Sequence, residues 1–552
     1  MAGTALHTDV VVSEGRFALA EPGLSADDRY SNVDLTPVAL EKRTWSTYNY
    51  AALWMGIAHN IPSYLLASGL VALGMDWLQA VLTIALGNLV VLVPMLLNSH
   101  AGTKYGIPFP VFARAAFGVR GAHLAALLRG FVACGWFGIQ TWVGGQAIFT
   151  VVGAVLGGYW TETTSYLGYP WTVWLSFAIF WVLEMAIILR GMDFLRRWVN
   201  WSAPFVVTVV IALMCWMILE AGGVGPLLSQ PSELGWGPEF WPVFFPSLMG
   251  MIAFWATMSL NMSDFTRFAR GQTEQSLGQS LGLPTTMTLF AVLSVFIASA
   301  TEVIYREPVW DPVALAGKFH NAVLIVFALV TLVIATLSAN IAANTVAPAN
   351  AFSNLAPRIV TFRVGCLTTG VIGILIQPWR LLDSPELYIF TWLGFYGGLL
   401  GPLAGVLVAD YWLVRRTRLS LPGLYRAEGP YWFARGWNWR AIVSFLVGAA
   451  LAVGGSHSAP GSGPFPEDGL IPLLAPVADY GLLVGMVAAF LVHSMLSLAF
   501  AADDDDDYVS GLPDDEEEID AREPPPASWF SGRPLHGATD TGGRRTPGGG
   551  VR

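Results

Sequence analysis

The chain alternates long apolar runs with short polar connections. A helix that crosses the hydrocarbon core of a bilayer needs about 20 apolar residues, and twelve runs approach or exceed that length. The longest, 122–156, is expected to tilt or to continue into a loop. The pattern predicts transmembrane helices near 46–72, 76–98, 122–156, 169–190, 199–221, 241–262, 280–303, 321–352, 362–380, 387–412, 438–456 and 476–499.

Basic residues are unevenly distributed among the connections. Loops that carry Lys and Arg stay on the cytoplasmic side of a membrane. If the N-terminus is cytoplasmic, only Arg306, Lys318 and Arg380 fall in external connections. The internal ones then hold Lys104, Arg114, Arg120, Arg190, Arg196, Arg197, Arg267, Arg270, Arg358, Arg363, Arg415, Arg416, Arg418, Arg426, Arg435 and Arg440. This asymmetry predicts a multi-pass protein of the cell (inner) membrane with both termini in the cytoplasm.

Composition supports a lipid environment. Of 552 residues, 54% are hydrophobic and 12% are charged, whereas about 25% of residues are charged in a soluble domain. The net charge of −10 comes from residues 503–523, where twelve acidic residues stand against one base, Arg522. We therefore predict a cytoplasmic N-terminal segment over 1–45 and an acidic, disordered cytoplasmic tail over 500–552.

The first apolar run is predicted to break near its middle. It contains Gly56, His59, Asn60 and Pro62, and a proline inside a helix removes a backbone hydrogen bond. Broken helices expose carbonyls and helix ends that transporters use to hold cations and polar substrates. A simple proline kink, with Asn60 bonded to a neighbouring helix, is the structural alternative.

The third run places an indole and an amide on one helix face. Trp136 and Gln140 are separated by four residues, so they lie one turn apart. A flat indole can stack on a planar ligand, and a carboxamide can pair with an N–H/C=O edge. Trp255 in the sixth run could face Trp136 and complete an aromatic sandwich. Ordinary helix packing is the alternative interpretation.

The eighth run is unusually rich in small polar residues. Ser338, Asn340 and Asn344 lie close together in it, and Asn340 and Asn344 share a face. Such groups are expensive at bilayer depth and mark functional sites. Ser338 offers a hydroxyl oxygen to a cation, whereas Ala335 can offer only its carbonyl.

Polar and charged residues near the ends of the apolar runs are predicted to have structural roles. Asn261, Asp264 and Arg267 are expected to cap the cytoplasmic end of the sixth helix. Glu184 is expected to pair with Arg190, with proton carriage as the less favoured alternative. Asp410 is expected to be interfacial.

Sequence motifs of enzymes do not appear. The chain has no phosphate-binding loop, no nucleophile elbow and no zinc-protease motif. We therefore predict neither an enzyme nor a protein that binds nucleic acid, and no cofactor beyond a coupling ion.

Several segments together resemble the nucleobase-cation-symport-1 family, and within it the bacterial hydantoin and allantoin permeases. The resemblance covers about 35–500 and is carried by LTPVALEKRTW, LNSHAGTKYGIPFPVFARAAFGVRGAH, GWFGIQTWVGG, SLNMSDFTRFAR, SANIAANTVAPANAFSN and GPLAGVLVADYWLVRR. It implies an all-α polytopic membrane protein with a LeuT-like 5+5 inverted-repeat fold and two additional helices. The first repeat would be 46–221, the second 241–412 and the extra helices 438–499, with the first and sixth helices broken.

The resemblance also implies roles for individual residues. The substrate-binding residues would be Trp136, Gln140, Trp255, Asn344, Asn60 and Asn340. A sodium site would use carbonyl or hydroxyl oxygens at Gly56, His59, Ala335, Ser338 and Ala339. Two positions depart from the family pattern: Ala339 replaces a hydroxyl, and Phe254 replaces the glycine before Trp255.

These features predict a secondary active transporter. It would import a planar nucleobase, hydantoin or allantoin-type heterocycle with a cation, Na⁺ or H⁺, by alternating access. Because Ala339 removes one oxygen ligand from the cation set, proton coupling is a credible alternative, as is an uncoupled facilitator. A channel is disfavoured because the amides cluster instead of forming a continuous lining.

Overall fold

A computed structural model describes residues 10–19, 29–58, 60–190, 192–307, 309–319, 321–382, 387–427, 429–458 and 465–500. Within these ranges, side chains are left out at 192–200, Ala203, Pro226, Leu227, Ala322, Ala342 and Phe390. The acidic tail predicted over 500–552 lies outside the described residues from 501 onward, so its predicted disorder stays a prediction.

The first half of the chain contains nine helices within the described ranges. They are α1 Thr47–Ala58, α2 Ile61–Ala72, α3 Trp77–Tyr105, α4 Phe109–Phe117, α5 Ala122–Leu156, α6 Gly158–Thr161, α7 Trp171–Leu189, α8 Met192–Glu220 and α9 Val224–Leu228. Two small antiparallel hairpins accompany them. One pairs β1 (Val10–Ser13) with β2 (Arg16–Leu19), and the other pairs β3 (Ser165–Tyr166) with β4 (Tyr169–Pro170).

The second half, over the same described ranges, adds ten α-helices. They are α10 Trp241–Asn261, α11 Ser263–Thr266, α12 Gln272–Tyr305, α13 Pro312–Gly317, α14 Ala322–Asn344, α15 Val346–Leu355, α16 Phe362–Leu375, α17 Gly394–Val408, α18 Trp439–Val453 and α19 Gly481–Ala499. The crossing built on α17 begins and ends in wider π-helical turns, Leu387–Leu393 and Ala409–Val414. Short 3-10 turns lie at Leu40–Lys42, Pro378–Arg380, Pro422–Tyr425 and Pro472–Tyr480.

The helices reproduce the predicted set of crossings. Within the described ranges, eight helical segments are long and apolar enough to cross a membrane, and four shorter apolar helices complete the set. Each of these twelve segments overlaps one predicted run. The run at 122–156 forms one continuous 35-residue helix, α5, with the predicted bounds.

The first crossing is interrupted as predicted. Helix α1 ends at Ala58 and α2 begins at Ile61. Pro62 lies in the first turn of α2, where its missing N–H costs no helical hydrogen bond. Asn60 caps α2, because its side chain accepts a hydrogen bond from the Ser63 amide at 2.8 Å. The proline therefore starts the second half of the crossing and does not kink a continuous helix.

The sixth crossing differs from the expected broken helix. Helix α10 runs without interruption from Trp241 to Asn261, through Gly250 and Trp255. The interruption comes at Met262, after which α11 begins. Residues 241–261 form one continuous helix, so the prediction of a broken sixth helix is wrong.

Glycine allows α5 and α16 to cross at very short distance. A Cβ atom at Gly138 would lie 2.2 Å from the carbonyl oxygen of Gly373, and one at Gly373 would lie 3.0 Å from the carbonyl of Cys134. Small residues permit this approach in membranes, where close packing drives helix association. The crossing fixes the part of α5 that carries Trp136 and Gln140.

We predict that Gly138→Ala lowers the thermal unfolding midpoint of the purified protein by several degrees. The new methyl group meets backbone, which cannot rotate away, and overpacking costs about 1–3 kcal/mol. Gly394→Ala is the matched control, because nothing lies within 4 Å of a Cβ atom built there. Equal midpoints for the two variants would contradict the tight crossing.

Candidate functional site

Trp136 lies at the centre of a buried aromatic group formed with Phe254, Tyr388, Trp392 and Tyr396. Its indole is 4% exposed, and its ring centroid lies 5.1 Å from that of Phe254 and 6.1–6.2 Å from the other three, all edge-on. The Trp136 N–H donates to the Tyr396 hydroxyl at 3.2 Å. That hydroxyl donates to the Ala253 carbonyl at 2.9 Å, which ties α5, α10 and α17 together.

Gln140 lies one turn beyond Trp136 on α5 and carries an unsatisfied polar atom. The residue is 3% exposed, and its Oε1 is buried without a hydrogen-bond donor among the described residues. A buried acceptor without a partner costs about 1–3 kcal/mol. Such an orphaned atom beside a flat aromatic surface is the feature expected of a site that receives a ligand N–H.

Phe254 occupies the position between the two tryptophans. It packs edge-on against Trp136 at 5.1 Å and against Trp255 at 4.9 Å, and Trp255 itself packs edge-on against Trp54. No direct contact between Trp136 and Trp255 occurs among the described ring contacts. The predicted aromatic sandwich of Trp136 and Trp255 is not formed among these ring contacts, and Phe254 contacts both rings.

Trp255 contributes a second orphaned group. Its indole N–H is buried and has no acceptor within the described part of the chain, and the residue is 3% exposed. Gln140 Oε1 is an acceptor and Trp255 Nε1 is a donor. The two atoms therefore offer complementary hydrogen-bonding capacity in the same aromatic region.

The predicted amides of α14 form a chain of hydrogen bonds. Asn344 Nδ2 donates to Asn340 Oδ1 at 2.9 Å, and Asn340 Nδ2 donates to Glu184 Oε1 at 2.6 Å. Asn340 also donates to the Phe137 carbonyl on α5 at 3.0 Å. Asn340 is therefore engaged at both ends of its amide, whereas Asn344 Oδ1 accepts no hydrogen bond from any described group.

Glu184 does not make the predicted pair with Arg190. Its side chain is fully buried, accepts from Thr141 Oγ1 at 2.7 Å and from Asn340 Nδ2 at 2.6 Å, and forms no ion pair with a described residue. The reason is helical geometry, because Glu184 faces α5 and α14 while Arg190 ends the helix at its exposed C-cap. The prediction of pairing is wrong.

Asn60 was predicted to bind substrate, but its side-chain amide already has backbone hydrogen-bond partners. Its Oδ1 caps α2, and its Nδ2 donates to the Ile57 carbonyl at 2.6 Å. The oxygen and the nitrogen of the Asn60 amide are therefore both bound to backbone groups at the break. Asn60 also borders an apolar cavity of about 320 Å³ between α2, α8, α12, α13 and α14, which does not include Trp136 or Gln140.

Few of the residues implied to bind sodium offer a side-chain oxygen. His59 lies outside the described residues, Gly56 and Ala335 could contribute only their backbone carbonyl oxygens, and Ala339 has no side-chain oxygen. The Ser338 hydroxyl contacts Ser202 Oγ at 2.7 Å and donates to the Ile334 carbonyl at 2.8 Å. A hard cation takes several oxygen ligands. Among the described residues of this set, the Ser338 hydroxyl is the one side-chain oxygen, so further ligands to a cation would be backbone carbonyls.

The polar end of the sixth crossing is a structural cluster, in line with the predicted capping role. Asn261 accepts from Arg129 Nε at 3.0 Å and donates to Asp264 at 3.2 Å, and Asp264 also accepts from the Phe109 amide at 2.9 Å. Burial raises the pKa of Asp264, and the nearby Arg267 opposes that rise. These contacts join α10, α4 and α5.

Asp410 is buried and paired with a basic side chain, and its predicted interfacial position stays a prediction. It is 2% exposed, accepts from Arg415 Nε at 2.7 Å, and lies 3.4 Å from His493 Nε2. The π-helical turns over Ala409–Val414 allow Arg415 to fold back onto Asp410. Because a partner five residues away does not fit ordinary helical spacing, the sequence pattern did not indicate the pair.

Three aromatic residues of this site were not predicted. Tyr388, Trp392 and Tyr396 recur every four residues, and this spacing could have indicated one aromatic face. Tyr388 also donates to the Pro62 carbonyl at 3.0 Å, so it holds the start of α2.

The fold places the protein in a known class. The structure is similar to that of a nucleobase-cation-symport-1 family transporter solved in a closed conformation with bromovinylhydantoin bound, with a TM-score of 0.72 and 24% identity over 89% of this chain and 99% of that one. An inward-facing structure described as Mhp1 gives a TM-score of 0.69. The chain is an all-α polytopic membrane transporter with the LeuT-like fold that was predicted.

Sequence comparison identifies the family. A family model described as permease for cytosine/purines, uracil, thiamine, allantoin matches residues 37–485. The purine-uracil permease of Arabidopsis thaliana is 43% identical over 78% of this chain and 72% of its own length. The allantoin permease of Bacillus subtilis is 39% identical over 85% of this chain and 93% of its own. The chain belongs to this family of permeases, a family of transporters and not of enzymes.

We predict that Tyr396→Phe lowers the unfolding midpoint and changes the tryptophan emission. Loss of the hydroxyl leaves the Trp136 N–H unpaired and removes the link to the Ala253 carbonyl, which costs about 1–3 kcal/mol. Tyr159→Phe is the control, because Tyr159 is 97% exposed. Thermal unfolding and the emission maximum are measured on both. A variant that matches the control in both readouts would disprove the linking role of this hydroxyl.

Proposed function

We propose that the permease imports a planar heterocycle with a lactam or ureide edge, such as hydantoin, allantoin, uracil or cytosine, together with a cation. The observation that carries the proposal is Gln140 Oε1, a buried acceptor without a donor beside the Trp136 indole. A ligand N–H would satisfy it, and the ligand plane would stack on the aromatic surface.

The hydrogen-bonding groups suit an edge with both donors and acceptors. Asn344 Oδ1 has no donor, and Trp255 Nε1 has no acceptor among the described groups. Together with Gln140 they offer two acceptor atoms and one donor. A site of buried polar groups strongly rejects analogues that leave those groups unpaired, so a heterocycle without N–H groups would bind poorly.

Relatives support the same class of substrate. The names of the similar proteins refer to allantoin, purines and uracil, and the structurally similar transporter holds a hydantoin. Alternating access and the two five-helix repeats, 46–221 and 241–412, complete the proposal. The basic connections support a cell (inner) membrane location with both termini in the cytoplasm. An uncoupled facilitator is the alternative mechanism.

The binding test is a tryptophan fluorescence titration with hydantoin, allantoin, uracil and cytosine. Gln140→Ala is expected to weaken binding by about tenfold to a hundredfold, because a hydrogen bond in a buried site is lost. Gln146→Ala is the matched control, since Gln146 lies on the same helix and is half-buried. Equal affinities in wild type and Gln140→Ala would remove Gln140 from the site.

Phe254→Ala tests whether the phenyl ring limits the space between the two indoles. Its removal is expected to improve binding of hydantoins with bulky 5-substituents relative to unsubstituted hydantoin, because the gap between Trp136 and Trp255 opens. The variant should also lose stability, since Phe→Ala in a core costs about 3–5 kcal/mol. The ratio of the two dissociation constants is the measurement. An unchanged ratio would show that the ring does not set ligand size.

A further inference from the structure

A buried carboxylate lies next to the proposed substrate site in neutral surroundings. Glu184 on α7, Thr141 on α5 and Asn340 on α14 are each fully buried. Hydrogen bonds join these three helices at one point, and the carbonyl of Phe137 completes the group. We call these four residues the Glu184 cluster. A carboxylate this deep in a membrane protein needs either a counter-charge or a proton.

Among the described side chains, no counter-charge meets Glu184 from the elements packed around it. Helix α14 has no ionisable residue, and the described ionisable side chains of α5, α16 and β4 and of the second half of α8 make no ion pair or hydrogen bond with Glu184. On its own helix, Arg190 is exposed at the C-cap. The ionisable residues of these neighbouring elements are His123, Arg129, Cys134, Arg363, Cys366, Tyr169, Cys215 and Glu220. The side chains of Asp193, Arg196 and Arg197 lie outside the described ones.

The short contacts in the Glu184 cluster require one more hydrogen than is present when Glu184 is ionised. Thr141 Oγ1 lies 2.7 Å from the Phe137 carbonyl and 2.7 Å from Glu184 Oε2. Both of those atoms are acceptors when Glu184 is ionised, but a hydroxyl has only one hydrogen. If Glu184 is protonated on Oε2, it donates to Thr141, and Thr141 donates to Phe137. Every short contact then contains a hydrogen.

The cluster is connected to the proposed substrate amide. Asn340 Nδ2 donates to Glu184 Oε1, so its Oδ1 is left to accept from Asn344 Nδ2. This arrangement directs Asn344 Oδ1 away from the cluster as a free acceptor. When Glu184 loses its proton, Thr141 can donate to only one of its two neighbours, and the ionised Oε1 accepts a stronger, charge-assisted hydrogen bond from Asn340. Substrate and proton therefore act on the same hydrogen-bonded chain.

We propose that Glu184 is a proton-binding site that couples proton movement to substrate binding through Asn340 and Asn344. This inference rests on the proposed function for its substrate, but the proton site itself does not. Glu184 Oε2 takes one proton from water on the external side and releases it to water on the cytoplasmic side. One O–H bond forms and later breaks, and no other group changes its charge.

Glu184→Gln separates proton binding from substrate binding. A glutamine carboxamide imitates the protonated acid, since its oxygen accepts from Asn340 and its nitrogen donates to Thr141. Substrate affinity is therefore expected to persist and to become independent of pH. Glu162→Gln is the control, because Glu162 is exposed in the connection after α6.

Transport is measured in proteoliposomes with radiolabelled allantoin and uracil. With one proton per substrate, an inward gradient of one pH unit supports about tenfold accumulation. Wild type and Glu162→Gln should reach this tenfold ratio of internal to external substrate. Glu184→Gln should keep a ratio near one, but it should still exchange labelled for unlabelled substrate. Accumulation by Glu184→Gln equal to that of wild type would overturn the proton site and leave the transporter assignment intact.

Infrared difference spectroscopy tests the proton site without any substrate. Wild type at neutral pH should show the carbonyl stretch of a buried protonated carboxyl group, and the stretch should be missing in Glu184→Gln. Identical spectra for the two proteins would overturn the proposal even if neither heterocycle is transported. Presence of the band together with no transport would support the proton site and reject the proposed substrates.

Discussion

Hydrocarbon offers no hydrogen bonds, so every polar group inside the bilayer must find its partner within the protein. This constraint explains the arrangement of the first crossing. The break between α1 and α2 frees the Ile57 carbonyl and the Ser63 amide, and Asn60 binds both. The same constraint makes the orphaned atoms informative. Gln140 Oε1 and Trp255 Nε1 remain unpaired in a protein that pairs most of its buried groups.

Close packing between helices supplies the precision that these polar contacts need. Hydrogen bonds tolerate errors of only a few tenths of an ångström, and the partners lie on different helices. Gly138 and Gly373 let α5 and α16 touch through their backbones. Thr141 and Asn340 then bridge α5, α7 and α14. Close packing at the glycines and the polar bridges therefore act together to hold these helices in position.

Much of the fold could be predicted from the sequence because bilayer thickness fixes helix length. The twelve crossings and the break before Pro62 follow from apolar runs and one proline. The continuous α10 could not be predicted, since Gly250 permits a break without requiring one. The pairing of Asp410 with Arg415 depends on π-helical turns, which leave no periodic signal.

The site was less predictable than the fold. Residue types identified Trp136, Gln140, Asn340 and Asn344 as candidates. Only the folded structure shows which of their atoms already have hydrogen-bond partners. The sequence could not show that Asn340 is bound to Glu184. The neutral surroundings of Glu184 depend on which way α7 faces, and a nearly uniform apolar sequence such as α7 leaves that rotation open.

If a heterocycle stacks on Trp136 and Trp255 as proposed, Phe254 competes with it for both indoles. The ring lies against both indoles and is tethered to α10, so it meets them at an effective concentration that no free ligand reaches. A heterocycle that stacks between the indoles must wait until the ring has moved aside. The apparent dissociation constant then exceeds the intrinsic one by the inverse of the fraction of molecules in which the ring is displaced. Weak affinity in this chain would accordingly reflect self-occupancy of the pocket, and a modest affinity helps an importer to release its cargo.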